Sequence, residues 1–157
     1  MKFDLSTGGH FTISEQAEVA LLRYRQLRAH DPEAGLLLGR LIVDSEDLIA
    51  DQITEPMAGD RRGRFNFFRK RQPAQNSVNR AWTESCSTLN YLGEWHSHPE
   101  DIPSPSGHDL SEWRRITHTS RFEQKSLFFI IVGRTRICAW EYAKTADDPV
   151  LLRVSKE

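Results

Sequence analysis

Apolar positions along the chain change their period several times, and each change marks an element. Phe11 and Ile13 stand two residues apart, and Thr12 with Glu15 has capping-box spacing, so a helix is expected to start there. Ala17, Ala20, Leu21, Tyr24 and Leu27 then recur every three or four residues, giving one apolar stripe that runs to the Asp31-Pro32 break. That stripe reads as core packing. Two strands are predicted over 33–43 and 47–55, joined by the polar Asp44-Ser45-Glu46 turn. A second helix is expected from about 76 to 85, a strand over 89–96, and a third helix from Ser106 to about 117. Two apolar strands, 127–132 and 136–142, flank a turn at Gly133-Arg134, and 150–154 adds a last short one. Strands interleaved with helices indicate an α/β fold, and no repeat, low-complexity tract or linker divides residues 1–157 into more than one domain.

Composition narrows the function classes. A chain of 157 residues can bury about two thirds of its unfolded surface in one core. With 21 Lys and Arg against 22 Asp and Glu, the formal charge of -1 gives no global attraction to nucleic acid or anionic membrane. The stretch from 56 to 75 departs from that balance: Arg61, Arg62, Arg64, Arg69, Lys70 and Arg71 face one acid, Asp60, with Phe65, Phe67 and Phe68 interleaved. Three readings stand for it: a solvated loop with an aromatic anchor in the core, a nucleic-acid contact, or a dock for an acidic face of a protein substrate. The first is preferred, so no nucleic-acid partner is expected. Residues 1–7 lack the apolar core of a signal peptide, and the longest apolar run, 127–132, is too short to cross a bilayer. The expectation is a cytoplasmic protein with no membrane partner. Cys86 and Cys138 are far apart and in no Cys-x-x-Cys arrangement, which favours buried free thiols over a disulfide framework.

The candidate chemistry lies between His96 and Asp109. His96 and His98 flank Ser97, and side chains alternate along a strand, so both imidazoles project to the same side. Pro99 forbids continuation of a central strand, and Pro103 and Pro105 hold the chain extended until Ser106, which can cap a new helix. Asp109 sits one helical turn past Ser106, on the same face. Two imidazoles and a carboxylate arriving from a strand end and a helix start form a three-ligand set of the kind catalytic zinc uses, with water in the fourth position. A bare His-x-His is weak, because two histidines on one strand face are more often surface or hydrogen-bonded residues. His108 reads as helix surface, Trp113 as a core residue or a wall of the cleft, and His10, His30 and His118 have no companion at ligand spacing.

The longer string is specific. Glu33 in Glu33-Ala34-Gly35-Leu36-Leu37-Leu38-Gly39, then His-x-His-Pro, six residues, Ser, two residues and Asp, resembles the motif of the JAMM metalloproteases, also called MPN+ or Mov34/PAD-1. The resemblance implies a single JAMM domain: a mixed, curved β-sheet flanked by helices, with the zinc site at the sheet edge. It implies His96, His98 and Asp109 as ligands of one Zn2+ per chain, Glu33 as general base and acid, and Ser106 as the serine that steadies the oxyanion, beside any capping role. Among relatives the chain is most similar to bacterial stand-alone JAB isopeptidases, and within them to members of type II CBASS anti-phage operons. There the resemblance implies cleavage of a ubiquitin-like protein or a cGAS-like nucleotidyltransferase from its conjugated target, opposing an E1–E2-like ligase. Two rivals remain: a non-catalytic MPN scaffold, and a JAMM-related hydrolase of a sulfur-carrier adduct or nucleic-acid-linked substrate.

Overall fold

The computed structural model describes residues 1–28, 32–57, 61–62, 67–68 and 71–156. Its strands are β1 (Lys2–Asp4), β2 (His10–Ile13), β3 (Ala34–Leu41), β4 (Leu48–Ile53), β5 (Arg61–Arg62), β6 (Phe67–Phe68), β7 (Asn90–Ser97), β8 (Ser126–Val132), β9 (Ile137–Ala143), β10 (Val150–Leu151) and β11 (Arg153–Val154). The helices are α1 (Glu15–Leu22), α2 (Arg71–Glu84) and α3 (Gly107–Thr119). Among the described residues, nine strands form one sheet in the order β10-β9-β8-β7-β3-β4-β2-β1-β11, and β5 pairs with β6 separately. β2–β4 and β7–β8 are parallel and the other pairs antiparallel, so the sheet is mixed, as expected.

β8 shows why both faces need cover. It is apolar at every position after Ser126 and buried throughout, as a strand covered on both sides must be. Phe128, Ile130 and Val132 enter one core with Phe11, Ala17, Leu21 and Trp95. Leu127, Phe129 and Ile131 enter another with Trp113, Trp140 and Tyr142. α1 therefore covers one face and α3 the other; the Trp113 ring stacks on Phe129 at 4.8 Å. On the α1 side the sheet curls round until Phe11 stacks on Phe128, with centroids 4.3 Å apart.

The tail completes the curl. β10 pairs with β9 and β11 with β1, so the last strand segment joins opposite ends of the sheet around the buried Leu152, whose N–H donates to Ala139 O. The predicted single strand over 150–154 is thus split in two. The buried carboxylate of Glu141 closes the same seam by accepting from Ser6 N, Ser6 Oγ and Ser126 Oγ. Between β7 and β8 the backbones approach so closely that only glycine fits at position 93: its φ is 149°, and a Cβ would lie 1.8 Å from Phe128 O.

Several expectations need correction. The α1 cap is Ser14, whose side chain accepts from Ala17 N, while Thr12 lies inside β2. The helix ends at Leu22, so Tyr24 and Leu27 are not on it, and Leu27 is 62% exposed. The cause is Gln26, which is 4% exposed and donates Nε2 to Ser97 Oγ; a continued helix would point it about 140° away from Leu21. The α2 helix begins at Arg71, five residues before the predicted start, because Pro73 sits in its first turn, where no intrahelical N–H is needed. Cys86 is exposed, in the turn after α2, and Cys138 half-buried; both are free thiols. In the basic and aromatic stretch, Asp60, Arg64, Phe65, Arg69 and Lys70 lie outside the described residues, as do His30 and Asp31.

Candidate metal centre

β7 carries His96 and His98 to the rim of the sheet. Ser97 between them is fully buried on the α1 side, so the two imidazoles emerge together on the opposite face. β7 is an interior strand, paired with β3 and β8, and even past its end His98 N donates to Val132 O at 3.0 Å. Pro99 then turns the chain away.

The third group comes from the start of α3. Ser106 caps this helix: its Oγ accepts from Asp109 N at 3.1 Å, and Asp109 Oδ2 accepts from Ser106 N at 2.7 Å, a reciprocal capping box. The box fixes the carboxylate rotamer and turns the group toward the strand. His96 Nε2 and His98 Nε2 are 3.0 Å apart, His96 Nε2 to Asp109 Oδ1 is 3.4 Å, and His98 Nε2 to Asp109 Oδ2 is 3.3 Å. A metal with bonds of about 2.0–2.1 Å in a tetrahedral site keeps its ligand atoms about 3.3 Å apart. The donors therefore fit a small divalent ion without rearrangement. Among the described residues they form the one group of three or more potential ligands within 4.8 Å of one another.

Electrostatics agrees with the geometry. Burial opposes the ionised form of Asp109, but hydrogen bonds from His96 and His98, the charge of His96 and the Ser106 N–H hold its carboxyl well below the usual carboxylate range. Burial likewise opposes protonated His98, and the adjacent carboxylates of Asp109 and Glu100 overcome it and push the imidazole up. A cleft of about 800 Å³ opens over this cluster between α2 and α3, with Ala34 and Leu36 at its floor and Val78 and Ile116 in its walls.

Glu33 and Ser106 stand differently from the three donors. Glu33 lies just before β3, opposite Ser97: its N–H donates to Ser97 Oγ and its carbonyl accepts from Ser97 N. Its carboxylate, with Oε2 buried, is outside the donor group, and its charge reaches Tyr24. Ser106 serves α3 as a cap, and because the capping bond uses its lone pair, its own O–H remains to donate. His108 is exposed on α3 at the cleft mouth, and Trp113 is buried in the core with its ring 6.2 Å from that of His96. Two residues outside the motif also reach the site. Gln26 braces Ser97 from below, and nothing in the local pattern marks it. Glu100 approaches His98 Nδ1 at 3.4 Å, and a carboxylate immediately after His-x-His-Pro is the mark it leaves in the sequence.

Comparison with known proteins agrees with this architecture. Residues 15–143 match the family model described as prokaryotic homologs of the JAB domain. A CD-NTase/cGAS isopeptidase of Vibrio cholerae is 43% identical over 115 residues, covering 73% of this chain and 70% of that one. Proteins of the same name from Pseudomonas aeruginosa and Escherichia coli are 36% identical over 130 residues and 34% over 142, covering 80% and 88% of this chain and 80% and 85% of theirs. The solution structure of protein DSY2949 from Desulfitobacterium hafniense superposes with a TM-score of 0.61 at 20% identity, covering 90% of this chain and 88% of that one. No helix among the described residues is long and apolar enough to cross a membrane. A match over most of the chain, with relatives above 30% identity that it covers over 70–85% of their length, makes this protein a member of the prokaryotic JAB-domain family.

Proposed function

We propose that this protein is a zinc-dependent isopeptidase that cuts the bond between the C-terminus of a cGAS-like nucleotidyltransferase and the target to which an E1–E2-like ligase has joined it, in the cytoplasm of a bacterium defending itself against phage. The observation that carries this reading is the convergence of His96, His98 and Asp109 at 3.0–3.4 Å beneath an open cleft, in a chain 43% identical to a protein named for that activity. The intact donor set argues against a scaffold that has lost its metal.

The Mechanism follows from what each group can do. His96, His98 and Asp109 would hold Zn2+, which supplies Lewis acidity and can lower the pKa of water from about 15.7 to about 7. Glu33 takes the proton of the attacking water and passes it to the departing lysine amine as the carbon–nitrogen bond breaks. The Ser106 hydroxyl donates to the oxyanion that develops on the former carbonyl. The cleft between α2 and α3 receives the substrate's extended tail and excludes water from its floor at Ala34 and Leu36.

Metal analysis of the purified protein should find about one zinc per chain, which separates zinc from the ferrous iron that a two-histidine, one-carboxylate set also accepts. With a nucleotidyltransferase conjugate as substrate, chelation should stop cleavage and zinc restore it. Glu33→Ala should keep the metal and lose turnover; Asp109→Ala should lose both. Cleavage by Glu33→Ala at the wild-type rate would remove Glu33 from the reaction, and a protein that binds no zinc would refute the whole proposal.

A further inference from the structure

The geometry points to Glu100 as the residue that positions His98 for metal binding, and to the turn between β8 and β9 as the clamp that holds Glu100 there. This rests on the reading of the site as a metal centre. A histidine that binds a metal through Nε2 must be neutral with its proton on Nδ1, and the acceptor facing Nδ1 decides that tautomer and the ring's orientation. His98 directs Nε2 at His96 and Asp109, and the group facing its Nδ1 is Glu100 Oε2, at 3.4 Å.

Glu100 is an exposed side chain and would ordinarily sample many rotamers. Here its Oε2 also accepts from Ser104 N at 3.0 Å, so one oxygen is held between the loop backbone and the imidazole. The loop itself is tied down. Arg134 N donates to Glu100 O at 2.7 Å, Thr135 N and Arg136 N both donate to Asp101 O at 3.1 Å, and Arg134 Nε meets Asp101 Oδ1 at 2.9 Å. The fit against this turn is close: a Cβ on Gly133 would lie 2.6 Å from Pro103 Cδ and 2.8 Å from Asp101 O. The bonds of this turn end on Glu100 and Asp101, the two residues that follow Pro99.

The test is zinc affinity, read by competition with a chromogenic chelator, in wild type, Glu100→Ala, Glu100→Gln and Gly133→Ala, with melting of the metal-free proteins as a folding control. Removing the acceptor in Glu100→Ala should weaken zinc binding about 10- to 100-fold while leaving the metal-free melting temperature near that of wild type. Glu100→Gln keeps an oxygen able to accept from both Ser104 N and His98 Nδ1, so it should recover most of that loss. Gly133→Ala, with Glu100 intact, should weaken zinc binding in the same direction. Wild-type affinity in Glu100→Ala, or equal losses in the Ala and Gln variants, would overturn the positioning role while the metal centre stands. Absence of zinc binding in the wild type would overturn both.

Discussion

Ser106 caps α3, and the oxyanion role proposed for it differs enough in size from capping for the two to be separated. As a cap it contributes one bond, from Asp109 N to Oγ at 3.1 Å; the reciprocal bond from Ser106 N to Asp109 Oδ2 uses a backbone donor and survives substitution. Replacing an N-cap serine by alanine costs about 1 kcal/mol, and by glycine only a few tenths. For a domain of this size the alanine variant should melt about 2–4 °C lower and the glycine variant within about 1 °C of wild type. Neither change matters to a protein stable by about 5–15 kcal/mol, so capping alone predicts full activity in both. If the hydroxyl also steadies the oxyanion, both variants lose about 2.7–4 kcal/mol of transition-state stabilisation, or about 100- to 1000-fold in kcat, with KM and zinc content little changed. The assay is steady-state cleavage of a conjugate alongside thermal melts of the same preparations. Should Ser106→Gly turn over within about fivefold of wild type, a difference of about 1 kcal/mol, the serine is a cap and nothing more.

Other consequences are open to measurement. Gly93→Ala forces a Cβ to within 1.8 Å of Phe128 O at a φ of 149°, so overpacking and strain together should cost about 2–4 kcal/mol; an unchanged urea midpoint would show that β7 and β8 can separate locally. Trp113→Ala removes a ring stacked on Phe129 and tilted against Trp140, at a cost of about 3–5 kcal/mol, and zinc affinity should fall with it because α3 carries Asp109. The Tyr24 phenol is pushed up to about 12, chiefly by burial and then by the Glu55 hydrogen bond and the charges of Glu55 and Glu33. The neutral form is the one the fold prefers, so its contribution is complete below pH about 10 and is lost as pH rises toward 12; Tyr24→Phe should flatten that part of the stability profile.

The cluster of His96, His98 and Asp109 was legible because short-range rules govern it. Strand alternation puts His96 and His98 on one face, Pro99 ends the strand, and a capping serine three residues before Asp109 turns its carboxylate back onto the helix start. None of that needs knowledge of the rest of the molecule. The end of α1 was not legible, for the opposite reason. Tyr24 and Leu27 continue the apolar stripe, but the bond from Gln26 to Ser97 is made 71 residues away and decides where the helix stops. Pro73 shows a third case: a helix breaker in the interior is harmless in a first turn, and only the position of Arg71 as the first helical residue tells the two apart. Closure of the sheet depends on β11 pairing with β1, between the two chain ends, which a local pattern cannot express.

These long-range contacts explain why a centre assembled from two separated segments can be rigid. His96 lies in an interior strand paired on both sides, and Ser97 beneath it is bonded to Gln26 and to the Glu33 backbone. Asp109 stands in the first turn of a helix anchored one turn further along by Trp113, and Pro103, buried in the loop between, packs against Gly133. The ordering entropy of the ligands, about 1–2 kcal/mol for each residue's backbone, is thus met by folding and does not subtract from metal affinity. The same argument assigns Asp109 to two equilibria at once. Its carboxylate completes the capping box at the positive end of the α3 dipole and completes the donor set, so a folded α3 delivers the ligand already oriented. Metal binding in turn should stabilise α3 more than any other helix, and amide exchange at the start of α3 is where that stabilisation would be read.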